Sequence, residues 1–138
     1  MFKQILTNFK MGQTIKANEY SPLALAHIGD SVFELYVRTY IMKDNNTHVD
    51  KLHRLTTGYV NCKAQAEALR RIEPQLTEEE LRIYKRGRNT NSRVPKNADL
   101  ADYKAATGFE ALLGYLYIDG GFDRLIYLLG ECVDCSKL

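Results

Sequence analysis

The sequence predicts an all-α fold, and three observations lead to this prediction. Apolar residues recur at helical spacing, proline occurs only three times, and no run alternates apolar and polar residues as a strand would. With 138 residues, the chain is most simply one domain with a sizeable core. It shows neither a signal-peptide pattern nor an apolar window long enough to span a membrane, so we expect a cytoplasmic protein without a membrane partner.

The first helix signals lie in the N-terminal third of the chain. Residues 1–18 form an extension in which the apolar residues have the spacing of a short amphipathic helix. Ser21 followed by Pro22 supplies an N-cap and a proline at the first helical position. The long helix that begins there should run to Lys43, before the turn-prone sequence DNNT.

A second helical region follows. We expect it to begin near Thr47, to be interrupted at Gly58 and to end at Pro74. Thr77 and Glu80 then form a capping box that opens a third helix, EEELRIYKRG.

Two more helices complete the predicted fold. After the polar loop RNTNSRVPKN, a long helix should span about Asp99 to Asp119 and stop at the glycine pair GG. The segment FDRLIYLLGECV then forms a closing helix.

A polar stripe runs along the first long helix, at steps of three and four residues. Its members are His27, Asp30, Ser31, Glu34 and Arg38. The stripe is either a solvent-facing surface with a Glu34–Arg38 ion pair, or part of a site at Asp30. Gly29 favours the site, because a mid-helix glycine costs about 1 kcal/mol relative to alanine and is typical of a close approach by a backbone or a ligand.

Glu110 is the only charged residue between Ala105 and Ile118. An ionised carboxylate among apolar neighbours needs a cationic partner or takes up a proton. That partner is either an arginine from another helix, such as Arg38, or a divalent metal shared with Asp30. Oxygen ligands without a histidine cluster favour Mg²⁺, with Mn²⁺ as a substitute.

A basic segment covers residues 82–96 and contains no acidic residue. Small polar residues lie between its cations, a mixture that suits contacts to phosphates and sugars. The alternative is a solvated loop whose charge only aids solubility. The residues that we expect to contact RNA are Lys85, Arg86, Arg88, Asn89, Arg93, Lys96 and Asn97. Metal-binding carboxylates and a phosphate-binding loop together indicate phosphodiester hydrolysis.

The three cysteines are expected to be reduced thiols. Cys132 and Cys135 have the spacing of half a zinc site, but no second pair of Cys or His lies near them in sequence. We therefore expect no zinc.

Two motifs resemble those of the ribonuclease III family, in the order that the family has them. IGDSVFEL resembles the family's signature helix, and FEALLGYLYIDGG resembles its second motif. The resemblance covers about residues 19–138 and implies a catalytic domain there, with the family's dimeric helical bundle. It also implies an endoribonuclease that cleaves double-stranded RNA and leaves 5′-phosphate and 3′-hydroxyl ends.

Two positions depart from the family pattern, which has carboxylates where this chain has Ala26 and Thr107. Only 17 residues follow Gly121, so we also expect no C-terminal double-stranded-RNA-binding domain of the usual kind. Both features resemble the Mini-ribonuclease III subfamily, made of the catalytic domain alone. That resemblance implies maturation of large-subunit (23S) ribosomal RNA precursor by a homodimer, with a ribosomal protein as a candidate partner that presents the substrate.

The resemblance carries the two central metal ligands over to Asp30 and Glu110, which are then the catalytic residues. Glu34 supplies an outer-shell ligand or pairs with Arg38, and His27 orients a water or has a packing role. Two other functions compete. One is a non-catalytic RNA-binding protein with a degenerate metal site. The other is a phosphohydrolase of small nucleotides, for which the three histidines are poorly placed.

Overall fold

The computed structural model describes residues 1–133, and all regular structure among them is helical. The all-α prediction is therefore confirmed. Two short 3₁₀ segments occur at Ala17–Glu19 and Glu73–Gln75. The α-helices are α1 (Phe2–Asn8), α2 (Pro22–Met42), α3 (Val49–Val60), α4 (Cys62–Ile72), α5 (Glu78–Arg88), α6 (Leu100–Ile118) and α7 (Phe122–Cys132).

The predicted caps of α2 and α5 are confirmed. The Ser21 hydroxyl accepts the backbone N–H of Ala24 at 3.1 Å, and Pro22 is the first residue of α2. In α5, Glu80 N–H donates to the Thr77 hydroxyl at 3.1 Å, and Thr77 N–H donates to the Glu80 carboxylate at 2.9 Å. Side-chain oxygens thus satisfy N–H groups that have no partner within the helix.

The expected interruption at Gly58 is wrong, because the glycine lies inside α3. The break falls at Asn61, which separates α3 from α4. Its side-chain oxygen accepts the N–H of Ala64 at 2.8 Å. Asparagine competes well for this capping role, whereas a single glycine only weakens a helix.

Helix α6 is the central element, and α2, α4, α5 and α7 all pack against it. Its residues from Ala111 to Tyr117 are all buried. A helix that is apolar on every side needs neighbours on every side. The rings of Phe33 on α2 and Phe109 on α6 meet edge to face, with their centroids 5.1 Å apart.

Helices α2 and α6 touch backbone to backbone. A Cβ atom added at Gly29 would lie 1.8 Å from the carbonyl oxygen of Glu110, and one added at Gly114 would lie 1.9 Å from that of Leu25. The close approach predicted at Gly29 is thus confirmed, and the neighbour is a backbone. This crossing sets the distance between the two helices that carry the predicted carboxylates.

A second glycine crossing joins α5 to α6. A Cβ atom at Gly87 would lie 2.8 Å from the Cα of Gly108, and one at Gly108 would lie 2.6 Å from the carbonyl oxygen of Tyr84. Gly108 precedes Glu110 by two residues, which is about 3 Å along a helix axis. Residues two apart on a helix do not face the same way, so the C-terminal end of α5 packs on a different side of α6 from the Glu110 side chain.

The N-terminal helix packs onto the rest of the fold through an aromatic contact. The ring of Phe2 meets that of Tyr117 edge to face, with centroids 5.4 Å apart, and lies 6.0 Å from the ring of Phe122.

The division into an N-terminal extension and a catalytic domain stays a prediction. The predicted absence of zinc at Cys132 and Cys135 is not tested, because Cys135 lies outside the described residues. None of the helices within residues 1–133 has the length and hydropathy of a transmembrane segment.

Candidate active site

The crossing of α2 and α6 brings the two predicted carboxylates together. Asp30 follows the contact residue Gly29, whose nearest neighbour is the backbone of Glu110 itself. The Asp30 carboxylate lies close enough to the Glu110 carboxyl to raise its pKa, although 80 positions of sequence separate the two residues. Asp30 lies on the exposed side of the pair, and Glu110 is half-buried.

The pKa of Glu110 is strongly perturbed. Burial is the largest cause, followed by the hydrogen bond and the negative charge of Asp30, and together they raise the pKa to about 8. Two carboxylates this close cannot both ionise freely, so the pair retains a proton at neutral pH in the absence of a cation. Such a pair meets the electrostatic requirement of a cation site.

A third side chain reaches the pair from α4. The amide nitrogen of Gln65 donates to Oε2 of Glu110 at 3.5 Å, and this hydrogen bond opposes the rise in the pKa of Glu110. Gln65 is only 2% exposed, and the sequence analysis did not single it out. The sequence does contain a signal for a buried Gln65, because Gln65 lies on the same face of α4 as the apolar residues Leu69 and Ile72.

The alternative of a buried ion pair at Glu110 is not supported. Within residues 1–133, no Lys or Arg forms a salt bridge with Glu110. Arg38 instead pairs with Glu34, one turn away on α2. The outer-shell role of Glu34 stays a prediction, and His27 lies exposed one turn before Asp30.

The donor set fits a divalent cation held by two carboxylates. Mg²⁺ commonly binds through one or two carboxylates and completes its shell with waters and substrate phosphates. Ala26 and Thr107 are both buried, and the Thr107 hydroxyl donates to the carbonyl oxygen of Tyr103 at 3.1 Å. Among residues 1–133, no group of three or more His, Cys, Asp or Glu is arranged to hold a metal. The candidate ligands that remain are Asp30 and Glu110, and their role stays a prediction.

Asp102 lies at the edge of the same region. Burial first, and then the charges of Glu110 and Asp102, raise the pKa of the Cys62 thiol. Asp102 also accepts a hydrogen bond from Arg70 at 3.3 Å. The carboxylate of Asp102 therefore has a partner of its own on α4.

The basic segment, residues 82–96, begins within α5 and continues into the loop that follows it. Lys85 and Arg86 are exposed, and the Arg86 guanidinium donates to the carbonyl oxygen of Asn18 at 3.3 Å. A surface groove of about 530 Å³ opens beside them. Its lining residues are Glu78, Leu81, Arg82, Lys85, Arg86 and Asn89.

The remaining predicted RNA contacts follow along the chain. Arg88 lies over the ring of Tyr84 at 5.6 Å and donates to the Asn89 side chain at 3.2 Å, so its guanidinium is held in place. Three further residues are exposed in the loop between α5 and α6: Arg93, Lys96 and Asn97. The crossing at Gly87 packs the start of this basic surface, residues 85–97, against α6 at Gly108 and Ala111.

Comparisons with known proteins place this chain in a family. A model of the ribonuclease III domain matches residues 23–121. Mini-ribonuclease 3 of Thermoanaerobacter sp. (strain X514) is 53% identical over 110 residues, covering 79% of this chain and 78% of that protein. Mini-ribonuclease 3 of Streptococcus pneumoniae (strain ATCC BAA-255 / R6) is 45% identical over 122 residues, covering 86% and 95%. A crystal structure of a protein from Fusobacterium nucleatum matches with a TM-score of 0.78 and 28% identity, covering 87% of this chain and 96% of that one.

The matched region contains both motifs from which the resemblance was inferred. The prediction of the family is thereby confirmed, and with it the prediction of an enzyme. Members of this family generally depend on a divalent metal. The chain belongs to the ribonuclease III family and is an endoribonuclease.

Proposed function

We propose that this chain cleaves double-stranded RNA with the help of a divalent cation, in the maturation of large-subunit (23S) ribosomal RNA precursor. The observation that carries the proposal is the Asp30–Glu110 pair, in which burial and the neighbouring carboxylate of Asp30 raise the pKa of Glu110 to about 8. The names of the relatives support a ribonuclease. The choice of a ribosomal RNA precursor rests on the resemblance to the catalytic-domain-only subfamily.

Asp30 and Glu110 would hold the cation, Mg²⁺ or Mn²⁺, between α2 and α6. When bound, the cation supplies an acidified water and neutralises charge on the scissile phosphate. The two carboxylates provide oxygen ligands on rigid helices, and the backbone contact at Gly29 keeps them close together. The cation replaces the shared proton, so binding should strengthen as pH rises and Glu110 ionises.

The basic surface binds the duplex. An RNA duplex offers phosphates and 2′-hydroxyls rather than a readable base sequence in its deep groove. The phosphates can be bound by Lys85, Arg86, Arg88, Arg93 and Lys96, and a hydroxyl can be reached by Asn89 or Asn97. Affinity should therefore decrease steeply with salt concentration.

The active unit is a homodimer, in which each site cuts one strand of the duplex. This part of the proposal comes from the resemblance, as does a ribosomal protein that presents the substrate. Sedimentation at micromolar concentration should give twice the mass of the 15.8 kDa chain, and a monomer under all conditions of assay would contradict it.

The function is tested with an RNA duplex and a single strand of the same sequence, each incubated with Mg²⁺ or with a chelator. We expect cleavage of the duplex alone, only with Mg²⁺, and products that carry a 5′-phosphate. Asp30→Asn should bind the duplex without cutting it, whereas Asp123→Asn, an exposed carboxylate on α7, should cut normally. Duplex binding without cleavage under any divalent ion would instead support the non-catalytic RNA-binding function.

The basic surface is tested separately. Replacing Arg86 and Arg88 with Ala should weaken duplex binding and reduce its salt dependence, because about two phosphate contacts are lost. Metal affinity should not change. Replacing the exposed Lys3 and Lys10 removes the same charge elsewhere and should leave binding nearly unchanged. Equal losses in the two double variants would contradict a localised RNA surface.

A further inference from the structure

The buried amide of Gln65 has no role in the function proposed so far. The inward side of α4 is otherwise apolar, with Ala68, Leu69 and Ile72 all 3% exposed or less. Gln65 lies in the same layer at 2% exposed. Burying an amide is unfavourable unless it is hydrogen-bonded, so an apolar residue would serve the packing better. A polar residue at this position therefore points to a role beyond packing.

The amide of Gln65 contacts Glu110. Its Nε2 donates to Oε2 of the carboxyl at 3.5 Å, a long hydrogen bond that links α4 to α6 across 45 positions of sequence. The terminal torsion of a glutamate side chain has a broad energy minimum, so the carboxyl plane is poorly fixed without a partner. A donor from α4 restricts that rotation.

The neutrality of this donor is also informative. A Lys or Arg at position 65 would place a permanent positive charge beside the carboxylate of Glu110 and reduce the attraction of Glu110 for a metal ion. An amide donates a hydrogen bond and leaves the negative charge of the carboxylate in place. Hydrogen bonds of this kind orient carboxylate ligands, and their loss costs about 10–100-fold in metal affinity or activity.

We propose that Gln65 is a positioning residue that orients the carboxylate of Glu110 for a divalent cation. The inference rests on the metal site proposed above. Gln65 acts through Glu110 and not through contact with RNA.

The test is titration of the purified full chain with Mn²⁺ in a calorimeter, without RNA, for the wild type and for Gln65→Met. Methionine keeps the unbranched shape and removes the donor. We expect the dissociation constant for Mn²⁺ to rise about tenfold or more. In a cleavage assay the same variant should need a correspondingly higher Mg²⁺ concentration, while KM for the duplex stays unchanged. Gln65→Leu, which also lacks a donor, serves if the Met variant does not fold.

The control variant is Ile72→Val, which perturbs the same buried side of α4 without approaching the donor position. It should lower the unfolding midpoint and leave Mn²⁺ affinity unchanged. Wild-type Mn²⁺ affinity in Gln65→Met, alongside lost binding in Asp30→Asn, would overturn the role of Gln65 alone. Unchanged binding in Asp30→Asn and in Glu110→Gln would overturn the metal site itself, and the inference with it.

Discussion

The backbone contact between α2 and α6 predicts a large effect for Gly29→Ala. The added Cβ would lie 1.8 Å from the Glu110 carbonyl oxygen, 1.6 Å short of the 3.4 Å at which ordinary van der Waals contact begins. The obstacle is a backbone atom in the middle of a helix and cannot rotate away, so the two helices must move apart.

The expected magnitude combines two opposing effects. Overpacking a core costs about 1–3 kcal/mol, and more when the clash is with backbone. Replacing a mid-helix glycine with alanine stabilises the helix by about 1 kcal/mol, because alanine has the higher helix propensity. We therefore expect a net loss of about 2 kcal/mol in the free energy of unfolding. Activity should fall further, by about 100-fold, because a shift of this size separates Asp30 from Glu110.

Chemical denaturation and duplex cleavage measure the two effects, and Gly58→Ala is the matched control. Gly58 is also inside a helix, but a Cβ atom there would have nothing within 4 Å. This control should be stabilised by about 0.4–1 kcal/mol and keep full activity. If Gly29→Ala is stabilised to the same extent, the close crossing and the site built on it are both wrong.

Two predictions concern ionisable groups. Without metal, the folded protein holds a proton on Glu110 up to about pH 8, whereas the unfolded chain releases it near 4.5. Stability in a chelator should therefore fall as pH rises from about 5 to 8, by at most about 1.4 kcal/mol per unit, and Glu110→Gln should remove this slope in urea denaturation. An equal slope in the variant would refute the assignment. Arg124 holds the buried carboxylate of Glu80 through two hydrogen bonds of 2.9 Å. Arg124→Met should cost about 3 kcal/mol in the same assay, whereas Arg82→Met, which loses only a surface pair with Glu79, should cost less than about 1 kcal/mol. Equal losses would contradict this ranking.

Local signals were sufficient for much of the fold and singled out Asp30 and Glu110 one by one, whereas the family resemblance was needed to pair them. The N-caps at Ser21 and Thr77 depend on residues three positions apart, so their hydrogen bonds could be predicted from sequence. Gly29 indicated a close approach because a mid-helix glycine is unfavourable without one. Glu110 indicated a partner because it is an isolated charge in an apolar helix.

The rest depends on which helices meet, and no local pattern specifies that. The crossing of Gly87 with Gly108 was missed because each glycine is explained only by the other. Gln65 was missed because its partner on α6 is 45 positions away. The helix break was assigned to Gly58 because the capping role of Asn61 was overlooked.

The central claim is that Asp30 and Glu110 bind one divalent cation in place of their shared proton. The most direct test is the free energy of unfolding at pH 8, in Mg²⁺ and in a chelator, for the wild type, Asp30→Asn and Glu110→Gln. The wild type should gain about 1.4 kcal/mol when Mg²⁺ is at ten times its dissociation constant, and neither variant should gain. Equal stabilisation of all three proteins, or of none, would contradict the account.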